Sequence, residues 1–221
     1  TFVVIVLLVA AWYLSYSAAR LDRLHAKVEG AMSALDAQLI RRAEAALELA
    51  LRLRDEGQKR GESVRITAAT VSNATPAAFA RQLYALGVDR VVRVEAPGTD
   101  NFRPETVSAA LFSAFSGEKF DLVVCGAQSA EGGSMTPYRL AQRLGFPCLA
   151  DVTDLSLADG GVRVAREVPG GERRATVTVP AVYAVGSAKH PYLRMATVRQ
   201  RMAVSNRVPD VCEVQAREAS E

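Results

Sequence analysis

The chain has 221 residues, enough for one full domain with an appendage and too few for two ordinary domains. Apolar residues make up 49%, charged residues 23%, and glycine and proline only 15 and 9 positions, which excludes a disordered, collagen-like or low-complexity chain. A net charge of +3 is too slight to draw nucleic acid by electrostatics alone, so partners must be argued from motifs.

Thr1 to Ala19 carry no charge, and Phe2 to Ala11 form a continuous apolar run followed by Trp12, Tyr13 and Tyr16. As a helix this stretch covers roughly 28 Å, close to the thickness of a bilayer core, with aromatic residues where an interfacial belt belongs. The pattern predicts a transmembrane helix over residues 1–19. Arg20, Arg23 and Lys27 follow it directly, which places the body of the protein on the cytoplasmic side, tethered to the inner face of the membrane. The alternative is a secretory signal, for which Ser17-Ala18-Ala19 offers a small-x-small site. Residues 20–57 predict a long amphipathic helix, because Leu21, Leu24, Val28, Met32, Leu35 and Leu39 recur at intervals of three and four among charged residues.

Beyond Gly57 the rhythm changes. Ser63 to Val71 is a β-branched run suited to a buried strand. Thr75-Pro76 opens a helix through Phe79, Leu83 and Leu86 to Gly87. Val88 to Glu95 is a second strand, Pro104 starts a helix that runs to Gly117, and Phe120 to Gly126 is a third strand. Strands alternating with helices of about a dozen residues predict right-handed βαβ units and a parallel sheet, with ligands at the carboxyl ends of its strands. Val152–Leu157, Val162–Val168 and Ala175–Val179 are then short strands separated by Asp159-Gly160-Gly161 and Pro169-Gly170-Gly171, which predicts an antiparallel hairpin region. Pro180 to Val185 can return as a buried strand.

The three cysteines, Cys125, Cys148 and Cys212, are widely spaced, so they make neither a disulfide framework nor a CxxC metal site, and they fit a reducing compartment. His25 and His190 give a zinc site or a His-based triad little material. The informative segment runs from Asp121 to Pro147. A buried strand ends at Cys125-Gly126, a loop of small and polar residues follows, and a helix begins near Thr136-Pro137. Backbone N–H groups in such a loop, together with the helix dipole, favour an anion at the strand end. The loop matches neither GxxxxGK[ST] nor GxGxxG, and an ordinary βα connection has the same outline.

The blocks DLVVCGAQS, RLAQRLGFP, VRVAREVPGG and PAV, in this order and spacing, resemble the β subunit of electron transfer flavoproteins from about Ala43 to Arg201. The resemblance implies an α/β fold with a parallel-sheet nucleotide-binding domain of the adenine nucleotide alpha hydrolase-like type over residues 58–201, followed by a C-terminal tail, 202–221. It implies a partner α subunit that holds most of the FAD, a bound AMP, and an electron carrier rather than an enzyme, linking a dehydrogenase to the respiratory chain. It places Gly126, Gln128, Ser129, Glu131, Gly132, Gly133, Ser134 and Thr136 in the nucleotide loop. Glu131 stands where the family usually has Asp, and Met135 where a Gly-Gln pair usually precedes the helix. Ala188 to Arg201 resembles the family's dehydrogenase-docking loop, with Leu193 as the apolar anchor, Pro191 stiffening the approach, and Arg194 beside it.

The stretch from Leu21 to Ala50 is similar to the start of LemA-type membrane proteins, so the alternative function is a membrane-anchored scaffold whose soluble domain lacks redox activity. The flavoprotein family opens with a β-strand where this chain has the apolar run and long helix. The sheet is therefore expected to lack an inner strand unless another segment completes it.

Overall fold

The computed structural model describes residues 42–72, 77–95, 103–127 and 135–214. A first helix, α1, covers residues 42–60, and Leu49, Leu51 and Leu53 on it are fully buried. There follow β1 (Thr67–Val71), α2 (Ala77–Leu86), β2 (Arg90–Glu95), α3 (Pro104–Ala114), β3 (Leu122–Gly126) and α4 (Met135–Leu144). The remaining elements are β4 (Cys148–Ala158), β5 (Gly161–Val168), β6 (Gly171–Val177), β7 (Ala181–Val185), α5 (Val198–Ala203) and β8 (Asp210–Glu213).

The alternation of strand and helix gives the expected parallel pairing: β1 runs parallel to β2, and both β3 and β4 run parallel to β7. Helices cover both faces. Val91 of β2 packs with Leu51 of α1 and Leu83 of α2, while Val92 and Val94 pack with Ala110 of α3. The two-residue period of a strand sends neighbouring side chains to opposite faces, which produces this division. Pro104 occupies the first turn of α3, where its missing N–H costs nothing, and Gly87 takes φ 103° just beyond α2.

The strands fall into two sheets, in the orders β1-β2-β8 and β3-β7-β4-β5-β6. Among the described residues neither β1 nor β3 has a neighbour on its second edge. Burial reports the same thing. All five residues of β7, which lies between β3 and β4, are buried, whereas no residue of β1 or β3 is.

The hairpin region differs from the sequence reading in one respect. β4 starts at Cys148 rather than Val152, pairs parallel with β7 through Cys148, Leu149 and, past an irregularity, Val152, and pairs antiparallel with β5 from Val152 onward. The hairpins are thus an extension of the parallel sheet. Asp151, at the irregularity, takes φ 54°. The turns fall at Asp159-Gly160 and Pro169-Gly170, with Gly160 at φ 80° and Gly170 at φ 94°. The outer strand β6 is almost wholly exposed and carries Glu172, Arg173 and Arg174, charges that discourage edge-to-edge association.

Gly161 opens β5 under a tight constraint: a Cβ there would lie 2.2 Å from the carbonyl oxygen of Val177 and 3.2 Å from Cα of Thr178, both backbone atoms. Gly161→Ala should therefore destabilise the domain by about 1–2 kcal/mol through forced separation of β5 and β6, read as a lower urea midpoint at unchanged m-value.

Residues 210–213, read from the sequence as tail, form β8 and pair with β2 through Val92 to Glu95. The span expected over residues 1–19 and the first part of the helix expected over 20–57 lie outside the described residues. No described helix is long and apolar enough to cross a membrane.

Candidate functional site

At the carboxyl end of β3 the chain leaves through Gly126 and Ala127 and returns at Met135 to start α4. Of the residues expected in the nucleotide loop, Gly126 and Thr136 are placed at the two ends of this connection. Gln128, Ser129, Glu131, Gly132, Gly133 and Ser134 lie outside the described residues. The frame that holds the loop is firm: the N–H of Ala127 donates to the carbonyl of Val185 at 2.8 Å, and Pro137, Leu140 and Ala141 are the buried side of α4.

Three features of this frame fit an anionic group such as a nucleotide phosphate. Among the described residues the first turn of α4 carries no acidic side chain, which suits an anion at the positive end of the helix dipole. The strand ends on a glycine, which leaves its backbone approachable. Arg42 stands beside it, with its Cβ 3.5 Å from where a Cβ on Gly126 would be. Because the Ala127 N–H is already committed to β7, the amide donors for a phosphate have to come from residues 128–134. Arg42 was not singled out from the sequence. It is 84 positions from Gly126, and only the docking of α1 brings the two together.

The thiol of Cys125, one residue earlier, is held neutral. Burial, with a smaller effect from nearby Cys148, pushes it up to about 12. A thiol in this state is a poor nucleophile at neutral pH.

The segment expected to dock a dehydrogenase is placed differently from its sequence reading. Leu193 is half-buried and packs against the cluster formed by Leu51, Leu83, Tyr84 and Val91. Arg194 also turns to the protein. Its backbone N–H donates to Glu48 Oε2 at 3.1 Å, its Nη2 donates to Glu48 Oε1 at 2.8 Å, and its Nη1 donates to Asp55. The hydrogen bonds that Arg194 donates to Glu48 raise its pKa most, against the opposing effect of burial, and the one it donates to Asp55 adds a smaller rise. Leu193 and Arg194 are thus the clamp that fastens the segment to α1.

The side chains left outside are Tyr192, Met195, Val198 and Met202, with exposures of 81, 86, 68 and 73%. They are presented by a fixed backbone, because Thr197 and Gln200 form a reciprocal cap on α5: Gln200 N donates to Thr197 Oγ1 at 3.3 Å, and Thr197 N donates to Gln200 Oε1 at 2.8 Å. An open groove of about 610 Å³ runs beside them, bordered by Arg81, Gln82, Tyr192, Met195 and Arg201. Pro191 is exposed at the entry to the segment.

Parallel β-strands covered by helices on both faces define an α/β class of fold, in which ligands bind at the carboxyl ends of the strands. Within that class the match is specific: the family model described as the electron transfer flavoprotein domain matches residues 31–206, and the chain belongs to this family. The chain is 33% identical over 162 residues to the putative electron transfer flavoprotein subunit YgcR of Escherichia coli K12, covering 73% of this chain and 60% of that protein. It is 32% identical over 141 residues to the electron transfer flavoprotein subunit beta of Syntrophomonas wolfei, covering 63% and 53%. The corresponding protein of Bacillus subtilis is 29% identical over 140 residues, covering 62% and 52%. The chain therefore spans between half and three-fifths of the length of these relatives. The family match begins at residue 31, ahead of Ala43, and so takes in the last two-thirds of the stretch read as LemA-like.

Proposed function

We propose that the chain acts as an electron transfer flavoprotein β-like subunit. In this reading it pairs with an α subunit, holds AMP at the carboxyl end of β3, and serves electron relay from a dehydrogenase toward the respiratory chain through FAD held mainly by the partner. The observation that carries the reading is the family match over residues 31–206, which takes in the β3–α4 connection and the exposed segment around α5 together. When bound, the flavin supplies the redox chemistry, and the protein contributes position and electrostatics.

This chain's own residues have defined tasks. Gly126, Thr136 and the intervening Gln128, Ser129, Glu131, Gly132, Gly133 and Ser134 would surround the phosphate of AMP, with Arg42 balancing its charge. Pro191, Leu193 and Arg194 would hold the docking segment in place, while Met195 and Val198 provide the apolar contact, flanked by Arg199 and Arg201. A small apolar centre with cations at its rim suits an encounter that must form and dissociate quickly.

The test is co-expression with an α subunit, followed by a visible spectrum and mass spectrometry of the nucleotides released on denaturation. A stable yellow complex that yields FAD and AMP is the expected result. A stable but flavin-free complex, or no complex, would refute the reading. In the flavin-loaded complex, replacing Met195 and Val198 together by serine should weaken dehydrogenase binding about tenfold or more while leaving flavin content unchanged.

A further inference from the structure

Among the described residues three arginines, Arg54, Arg93 and Arg166, have an Nε–H that is buried without an acceptor. Two of them are held through their other nitrogens: Arg54 donates to the carbonyls of Gly87 and Leu86, and Arg93 donates to Glu95. Arg166 has no hydrogen bond or ion pair from any side-chain nitrogen among the described residues. A buried donor of this kind costs stability unless an acceptor meets it.

The strand register brings a second cation to the same place. Arg166 of β5 stands directly opposite Arg173 of β6, and on its other side directly opposite Val152 of β4. Directly opposed residues share a face of the sheet, with their Cβ atoms about 5 Å apart. Val162 and Val164 alternate with Arg166 on that face and pack with Ala45 and Leu49 of α1, so Arg166 sits where the core under α1 meets the exposed strand β6. The carboxylates of the hairpin are on the other face. Glu167 and Glu172 oppose one another there, and Glu172 is taken by Lys189 and Arg174. The side chain of Arg173, like that of Arg166, has no hydrogen bond or ion pair among the described residues.

Like charges opposed across two strands repel, and an anion shared between them turns that repulsion into attraction. We infer that Arg166 and Arg173 form a binding site for an oxyanion, a carboxylate or a phosphate, held between their two guanidinium groups. Each planar fork presents paired N–H donors that match two oxygens of such a group, and the anion also gives the buried Nε–H of Arg166 its acceptor. The oxyanion has two sources: a free anion, or an acidic side chain of the partner α subunit. The second source rests on the flavoprotein reading, and the first does not.

The experiment follows the Arg166 Nε–H signal of the full chain by heteronuclear NMR, assigned through its own side-chain correlations. One arm adds inorganic phosphate, with sodium chloride at equal ionic strength as the control. The other adds the α subunit in chloride buffer. The expected result is a saturable shift of the Arg166 signal in at least one arm, several times larger than that of Arg163, which alternates to the other face of β5. Arg173→Gln should raise the half-saturation concentration in that arm about fivefold or more, since one of the two forks is lost. Because Arg173 is exposed, the variant should keep the urea midpoint of the free chain or raise it by removing a like charge. A shift with phosphate alone identifies a free anion. A shift with the α subunit that phosphate then reverses identifies a carboxylate of the partner. An Arg166 signal unmoved in both arms, a phosphate shift shared equally by Arg163, or an unchanged half-saturation in Arg173→Gln overturns the inference. The phosphate arm needs neither flavin nor a partner subunit, so a missing complex refutes the flavoprotein reading while that arm alone decides this site.

Discussion

Arg194→Met is expected to lower the stability of the domain by about 3 kcal/mol, more than a substitution at a surface ion pair would. The reason lies with the partner left behind. Glu48 sits on α1 among buried residues and is itself only 7% exposed, so once the guanidinium is removed its carboxylate has neither water nor a counter-charge. Arg194 meets that carboxylate through Nε and Nη2 as well as its own backbone N–H. Asp55, whose side chain is 40% exposed, can be rehydrated and adds little to the loss. The double variant Glu48→Met, Arg194→Met should recover to within about 1 kcal/mol of the original, since an apolar pair of similar volume replaces a buried ion pair at little cost. A single-variant loss below about 1 kcal/mol in urea unfolding would show that the pair is hydrated and that the clamp on the docking segment is weak. Because the same contact fixes the backbone that presents Met195 and Val198, the single variant should also raise hydrogen exchange across residues 191–202. Leu193→Ala should loosen the same segment through lost packing instead of lost charge.

Much of this fold could be read before the structure, wherever a local rule decides. The strands around Val91 and Val123 follow from β-branched runs, and the hairpin turns follow from Asp159-Gly160 and Pro169-Gly170, where only a left-handed residue closes the loop. The helix after Thr75-Pro76 begins at Ala77, and the one after Arg103 begins at Pro104. What could not be read depends on distant partners. Asp210 to Glu213 is too short and too polar to announce itself as a strand, and it is one because β2 has a free edge. Leu193 and Arg194 lie in an irregular stretch where no periodicity says which side chain faces inward, and the carboxylate that decides it is 146 residues away. The long β4 combines a parallel and an antiparallel partner across an irregularity at Asp151, and nothing in Cys148 to Val152 marks that change. At the site, the strand-end glycine and the helix start were legible from spacing. The chemistry of the loop between them came from family resemblance alone, and the contribution of Arg42 came from tertiary packing.

Alkaline conditions should unfold this domain in steps that map to two desolvated acids on adjacent strands, the half-buried Cys125 and the buried Tyr183. Cys125 on β3 is pushed from its ordinary 9.0 up to about 12, chiefly by burial, and Tyr183 on β7 from 10.0 up to about 12 for the same reason. The hydroxyl of Tyr183 is buried without a hydrogen-bond partner, so nothing in the fold assists its ionisation. In both cases the folded chain keeps a proton that the unfolded chain gives up at lower pH. Stability is therefore complete below about pH 9 and is lost as pH rises toward 12. The slope should be about 1.4 kcal/mol per pH unit while only Cys125 is involved, and about twice that above pH 10. Carried to pH 12 the thiol alone would cost about 4 kcal/mol, a large part of the stability of a domain this size. Cys125→Ala should flatten the profile between pH 9 and 10, and Tyr183→Phe should reduce the slope above pH 10. Tyr183→Phe should also leave neutral-pH stability unchanged or slightly higher, because it removes a buried hydroxyl that has no partner. Urea midpoints from pH 7 to 11 separate these effects. A profile that stays flat to pH 11 in the unmodified chain would mean that water reaches the Cys125 thiol, and hence that the edge of β3 stands open to solvent.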